Sequence, residues 1–452
     1  MPDSRVLVVG TTADYIDLIN RRYPGRALFI TEVGERQKAR EISPSPGSEL
    51  LFDLRDFAGV QAALVSHLEQ WRQTVSGVTS YDCESMELAS SLAEHLGLPY
   101  PSPDAIRLVR DKLATKRCWQ QQGVYGPRAA LVTSEKEAVH FAAEVRGPVV
   151  LKPLTGSGSE LTFRCDRPED CHPAFRLIKS GLARRANTRM YASSSRTDLQ
   201  PMIEIEEWIE GPEYSCDFII DGETVQVIRV AAKLHSTRMP FGTTLAYLLP
   251  ARLPGDLTEI SLADKLREAA LAVGIKRAVC MVDFIVREGR PYFLELTPRP
   301  GGDCLPPLIM RSCGLDMLGV ALDLAEGKPI SVPPASQWTH LVGLRLFARA
   351  SGRIRRLDAS AVMAHPTVIE CYFKRTPGHV VTLPPEDYDS WLLGHIIFRP
   401  SSYRLLEPEC LALASRIIIE TETGHDYKLR GLHPAPGRAV ETADPAAGTP
   451  RT

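Results

Sequence analysis

Short apolar runs alternate with amphipathic segments through the first part of the chain. Arg5-Val-Leu-Val-Val-Gly10 is a strand ending in Gly, followed by a helical stretch from Ala13 to Arg22 and a second strand from Ala27 to Ile30, which is βαβ punctuation. Ser102-Pro-Asp-Ala predicts a helix start, with a capping hydroxyl, Pro at the first position and an acid in the first turn, and Gly123 stops that helix. A strand at 129–132, a helix from Ser134 to about Val145 and the strand Val149-Val-Leu-Lys152 follow. From Met202 the pattern turns β-rich, with strands at 203–205, 214–220 and 224–231, the last two joined at Asp221-Gly222. An amphipathic helix at 261–273 precedes a hairpin from Met281 whose arms meet at a Glu-Gly turn and which leads into Gly301-Gly302. Beyond about Ser331 the strands are short and mixed, at 341–347, 368–373 and 416–420, with Gly-His-Val-Val-Thr at 378–382 between them. From His433 the sequence is rich in Pro, Ala, Gly and Thr, the composition of a disordered tail.

The hairpin carries the most chemistry. Its period places Asp283 and Glu295 on one face, and two hard oxygen donors there suit Mg²⁺ bound to phosphates. Lys152 ends an apolar strand, where a cation is costly to bury unless an anion meets it. The following Thr155-Gly156-Ser157-Gly158-Ser159 offers close backbone approach and hydroxyl donors for phosphate oxygens.

At 452 residues the chain has room for about three domains. A net charge of -2 gives no basic field for nucleic acid, and no apolar run approaches a membrane span or a signal peptide, so a cytoplasmic protein is expected. The ten cysteines form no CxxC and no metal-ligand spacing, so reduced, mostly buried thiols are expected. Gly10 stands without a GxGxxG around it, which argues against a dinucleotide site.

In chain order, Asp111-Lys112, the Lys152 strand with its Gly/Ser loop, Ile205-Glu-Glu-Trp-Ile-Glu-Gly-Pro-Glu213 and the hairpin ending Glu295-Leu-Thr297-Pro-Arg299 resemble the ATP-grasp superfamily. The likeness spans roughly residues 100 to 325 and is to its carboxylate-amine ligases, of the L-amino acid ligase and biotin carboxylase-like branch. It implies ATP with Mg²⁺ as cofactors, two ions, with Mn²⁺ as an alternative. Lys112 and Lys152 would reach the nucleotide and Gly156 to Ser159 would form a mobile phosphate lid. Glu206 would accept from the adenine amine, the backbone around Glu207, Trp208 and Ile209 would meet the ring edge, and Glu213 would bind ribose. Lys233 is implied as a further phosphate cation and His235 as a substrate contact. Asp283 and Glu295 would hold metal, with Thr297 where the family usually has Asn and Met281 where some ligases have Arg. Arg299 would flank the transferring phosphoryl group, and the amides of Gly301 and Gly302 would meet a substrate carboxylate or an oxyanion.

The implied fold is α/β and α+β: a Rossmann-like pre-ATP-grasp domain at 1–101, an ATP-grasp domain at 102–330 with its lid part at 102–201, a small β-rich C-terminal subdomain at 331–432, and the tail. The implied activity is ATP-dependent joining of a carboxylate and an amine through an acyl phosphate, releasing ADP and phosphate. Its rivals are a carboxylase making carboxyphosphate and a nucleotide-binding regulator without turnover. The expected partners are small-molecule carboxylates and amines, with no nucleic acid and no membrane; a homodimer is common among relatives.

Overall fold

The computed structural model describes residues 3–191, 202–255 and 257–422; the tail expected from His433 lies outside them. Chain order starts with a parallel sheet in the order Glu49–Phe52, Ala27–Glu32, Asp3–Val9, Gln73–Thr79. Its central strands, Ala27–Glu32 and Asp3–Val9, carry near-continuous apolar runs because both of their faces are covered. Helices Phe57–Trp71 and Met86–Leu96 pack Val60, Leu64, Leu88 and Leu92 against one face. On the other face Ile16 and Ile19 of helix Ala13–Arg22 meet Leu318 and Leu322 of helix Met317–Ala325, from far later in the chain. That late helix is fastened at its edges: Arg22 and Tyr23 donate to Asp316, Arg26 to Asp323 and Glu326, and the Tyr81 hydroxyl to the Leu318 carbonyl at 2.7 Å.

The predicted strands and helices of the middle region are all present, and one element differs. The helix expected from Ser102 to Gly123 is two helices, Pro103–Arg110 and Lys112–Gln121. Asp111 between them is extended, at φ -93 and ψ 100, and its side chain accepts from the Ala114 amide, so the acid read as mid-helix is the cap of a second helix.

Two antiparallel sheets then face each other. The smaller has the order Ala129–Val132, Ile203–Glu207, Val149–Pro153, Phe163–Cys165, and buries one side under helices Glu135–Val145 and Cys171–Arg185. The larger runs Arg290–Thr297, Arg277–Arg287, Glu213–Asp221, Thr224–His235, Thr244–Leu249, Leu341–Phe347, Leu392–Phe398, Val368–Phe373. It continues across residue 330, so the C-terminal strands extend the sheet that carries the hairpin rather than standing apart from it. Beneath the hairpin, Cys280, Val282, Phe284 and Leu296 join Trp119 and the apolar side of helix Glu259–Ala272 in one core.

The late helix sets a steric limit on the parallel sheet. A Cβ at Gly77 would lie 2.2 Å from the Ala325 carbonyl oxygen, a backbone atom that cannot swing aside, whereas one at Gly34 meets nothing within 4 Å. Gly77→Ala is therefore expected to cost about 1–3 kcal/mol by overpacking, and Gly34→Ala to leave the urea unfolding midpoint unchanged or slightly higher.

Candidate active site

The strand period decides which side chains of the hairpin reach the space between the two antiparallel sheets. With Val282, Phe284 and Leu296 committed to the core, Asp283 and Glu295 face the other way, and they are direct partners across the strands, as are Met281 and Thr297. Opposed residues on one face hold their Cβ atoms about 5 Å apart. Asp283 and Glu295 line a cleft open to solvent, whose opposite wall is Val150, Lys152, Glu206 and Glu207 of the smaller sheet. Trp208, Ile209, Phe241, Ile285 and Leu294 give it apolar surface, and Gly156, Ser157, Ser159 and Glu160 of the Gly/Ser loop form its rim.

Buried lysines and carboxylates form the polar part. Lys116 lies 2.9 Å from Glu204 and 3.0 Å from Glu206, and Lys152 lies 2.7 Å from Glu206 and 3.9 Å from Glu204. The anion that meets Lys152 within the protein is thus Glu206, and Glu206 in turn is held by two lysines. Burial pushes the Glu206 carboxyl up, but Lys116 and Lys152 outweigh it and leave it below its ordinary range. Across the cleft Lys233 bridges Glu213 and Asp283, the latter at 2.9 Å, and His235 Nε2 lies 2.9 Å from Glu213. Burial opposes the Lys233 charge, yet Asp283 and Glu213 hold its pKa well above the usual lysine value. Glu213 is likewise held down against its burial by Lys233 and His235. Asp283 is raised, by burial first and then by Glu295 and Glu213, with Lys233 acting in the opposite direction.

The break at Asp111 aims Lys112 into this space. Its Nζ donates to the Gly156 carbonyl at 2.9 Å and lies 4.0 Å from Glu295, so one lysine touches both the loop and the hairpin. Burial lowers its pKa.

Of the residues expected at the site, Lys112, Lys152, Gly156, Ser157, Ser159, Glu206, Glu207, Trp208, Ile209, Glu213, Lys233, Asp283 and Glu295 line the cleft. Gly158, His235, Thr297, Arg299, Gly301 and Gly302 do not. The amide of Gly301, expected to be open to a ligand, donates to Asp217 Oδ1 at 2.9 Å, because the fully buried Asp217–Arg229 pair lies directly beneath that turn. A Cβ at Gly301 would come within 2.8 Å of Arg229. Arg299 turns away toward the N-terminal sheet, donating through Nε to Cys83 Sγ at 3.0 Å.

Lys116, Glu204, Asp217 and Arg229 are positioning residues that sequence reasoning missed. A signal existed for Asp217 and Arg229, which are charges inside otherwise apolar strand runs. None existed for Lys116, which reads as an ordinary helical lysine.

Among the described residues no group of three or more His, Cys, Asp or Glu side chains converges as a metal cage. Mg²⁺ usually takes one or two carboxylates and completes its shell with water and phosphates, so the Asp283–Glu295 pair fits that ion. A divalent cation there would also relieve the charge that raises Asp283.

Residues 145–307 match the ATP-grasp domain, and they include both walls of the cleft. The chain therefore carries an ATP-grasp domain, in the mixed α/β and antiparallel architecture expected of it. A D-alanine–D-alanine ligase of Cupriavidus metallidurans is 26% identical over 258 residues, covering 55% of this chain and 73% of that protein. An L-amino acid ligase from Bacillus licheniformis has the same fold over 94% of this chain and 100% of its own, with a TM-score of 0.71 and 18% identity. A biotin carboxylase from Campylobacter jejuni shares it over 93% and 92%, with a TM-score of 0.62 and 16% identity.

Removing Lys116 leaves two buried carboxylates with Lys152 as their one remaining cation, so Lys116→Met is expected to lose about 3–5 kcal/mol in chemical denaturation. Glu206 and Glu213 have carboxyl pKa values held below the unfolded ones. Their contribution is present above about pH 4.3 and is lost as pH falls below it. The stability curve should fall through that window, and Glu213→Gln should flatten the fall.

Proposed function

We propose that this protein is an ATP-dependent carboxylate-amine ligase that forms an amide or peptide bond and releases ADP and phosphate. The observation that carries it is the opposition of Asp283 and Glu295 on one wall of the cleft to Lys152 on the other, with Lys112 joining the hairpin to the Gly/Ser loop. The likeness to D-alanine–D-alanine ligase supports an amine as the second substrate. On this reading Lys112 and Lys152 exchange their internal partners for nucleotide phosphates, the segment Glu206 to Ile209 meets the adenine, and Glu213 the ribose.

Mg²⁺ held by Asp283 and Glu295 would supply charge neutralisation at the γ-phosphate, which a carboxylate, itself an anion, must approach. Thr297 follows on the same strand face as a hydroxyl donor, and the number of ions is part of the proposal. A carboxylate oxygen attacks the γ-phosphorus and the bond to the bridging oxygen breaks, so ADP leaves with that electron pair. The neutral amine then attacks the acyl carbon, phosphate departs with the C–O electrons, and the amine nitrogen gives up a proton. The protein's share is positioning and electrostatics, with the Gly/Ser loop excluding water from the acyl phosphate.

The same reading takes the protein as cytoplasmic; no helix among the described residues is long and apolar enough to cross a membrane. It also divides the chain after residues 101 and 330. The biotin carboxylase likeness keeps a carboxyphosphate-forming reaction as the second reading, and a bicarbonate requirement for ATP turnover would select it.

Incubation with Mg·ATP and pooled amino acids and carboxylic acids, followed by mass spectrometry, is expected to give ADP, phosphate and a new amide mass. Lys152→Ala and Glu295→Ala should each lower turnover by about a hundredfold or more while the protein stays folded. Full activity in either variant would refute the assignment.

A further inference from the structure

The two walls of the cleft are tied together by residues that do not line it. A strap, residues 382–391, joins strand Val380–Val381 to strand Leu392–Phe398 of the larger sheet. Its base is fixed to that sheet. Asp389 lies 3.3 Å from Lys374 and 2.6 Å from Arg375, the Trp391 ring lies against Phe347 with centroids 4.4 Å apart, and the Ala348 amide donates to the Trp391 carbonyl at 2.9 Å. Its tip reaches the opposite wall. Tyr388 packs against the core of the smaller sheet, the cluster that holds Leu161, Phe175, Ile178 and Leu182. Arg185, the last residue of helix Cys171–Arg185, donates through Nη2 to the Glu386 carbonyl at 2.7 Å and to the Pro385 carbonyl at 3.2 Å.

The same arginine continues toward the rim of the cleft. Arg185 Nε lies 3.7 Å from Glu160, Glu160 accepts from the Tyr191 hydroxyl at 2.6 Å, and a Cβ at Gly156 would lie 3.1 Å from the Tyr191 ring. A chain of contacts thus runs from the strap to the Gly/Ser loop, and the loop needs such a hold. Ser159 and Leu161 have φ of 58 and 53, a left-handed conformation that residues with a Cβ keep only where their surroundings enforce it. Charge sharpens the dependence on Arg185. Burial raises the Glu160 carboxyl, Tyr191 and Arg185 lower it, and Asp387 and Asp389 of the strap add to the rise. Arg185 is therefore the cation that lets an acid of the loop stand near two acids of the strap, and without it they repel one another.

We infer that Arg185 and Tyr388 are positioning residues through which the C-terminal strands hold the Gly/Ser loop closed over the cleft. The inference rests on the reading above of that loop as the cover of the nucleotide phosphates. Neither residue lines the cleft, so what they govern is how long a bound nucleotide is retained. By linkage, a nucleotide that orders the loop also tightens the strap.

The test is stopped-flow release of a fluorescent, non-hydrolysable ATP analogue with Mg²⁺ from the full chain, paired with hydrogen exchange at residues 155–161. Arg185→Leu is expected to speed release by about tenfold, the worth of one hydrogen bond to a charged group, with little change in association. Tyr388→Ala should act in the same direction, and Arg185→Lys, which keeps the charge, should recover most of the loss. Exchange at 155–161 should quicken in Arg185→Leu and Tyr388→Ala without ligand. A purely structural contact would lower the urea midpoint and leave release and exchange unchanged, and that result overturns the proposal. Should the variants fail to fold, exchange in the unaltered protein decides. Binding of the analogue is expected to slow the amides of 386–391 together with those of 155–161, and strap amides that do not respond overturn it. Failure of the unaltered protein to bind the analogue sinks the reading of the cleft instead, and the strap then stands or falls on exchange at 155–161 in the variants.

Discussion

The cleft depends on one constraint: each buried cation in it is matched by carboxylates that do not belong to its own strand. Lys116 and Lys152 share Glu204 and Glu206, and Lys233 shares Glu213 and Asp283. Isolated charges at such depth would cost several kcal/mol each, so within each wall of the cleft the lysines and carboxylates are stable only as a set. The same arrangement makes them exchangeable. A phosphate can replace a carboxylate at a lysine, and a divalent cation can replace a lysine at a carboxylate, with little change in the local charge balance.

The positions of these charges follow from strand periodicity. Core packing by Val282, Phe284 and Leu296 leaves Asp283 and Glu295 no choice of face, and their direct pairing fixes the distance between them. That part of the site was legible in the sequence, because alternation and a Glu-Gly turn determine register locally. The strand ending in Lys152 and the Gly/Ser loop after it were legible for the same reason. The break at Asp111 was not. An acid one residue before a lysine inside a helical pattern is read as solvated, and only the contact of Lys112 with Gly156 shows why the helix restarts there. Lys116 and Glu204 were hidden in the same way, since a helical lysine becomes a structural cation only when a distant strand brings an acid to it. The outward turn of Arg299 was hidden because its partner, Cys83, is 216 positions away in the chain.

Arg299 ties the loop from Thr297 to Cys304 to Cys83, just beyond strand Gln73–Thr79 of the N-terminal sheet, and Asp217 with Arg229 pins the same loop from below. The turn after the hairpin is therefore held from both sides. Positional precision of that kind is what an acyl-transfer site needs, because a misplacement of about 1 Å can cost two orders of magnitude in rate.

Arg299 stands where these two systems meet. Its guanidinium is partly buried, a position that opposes its charge, and Cys83 and Asp82 hold that charge in place. Such an arginine cannot follow a mobile phosphate in the way an exposed side chain could. It is a fixed donor, and a fixed donor contributes most when the group it meets is delivered to it by something else.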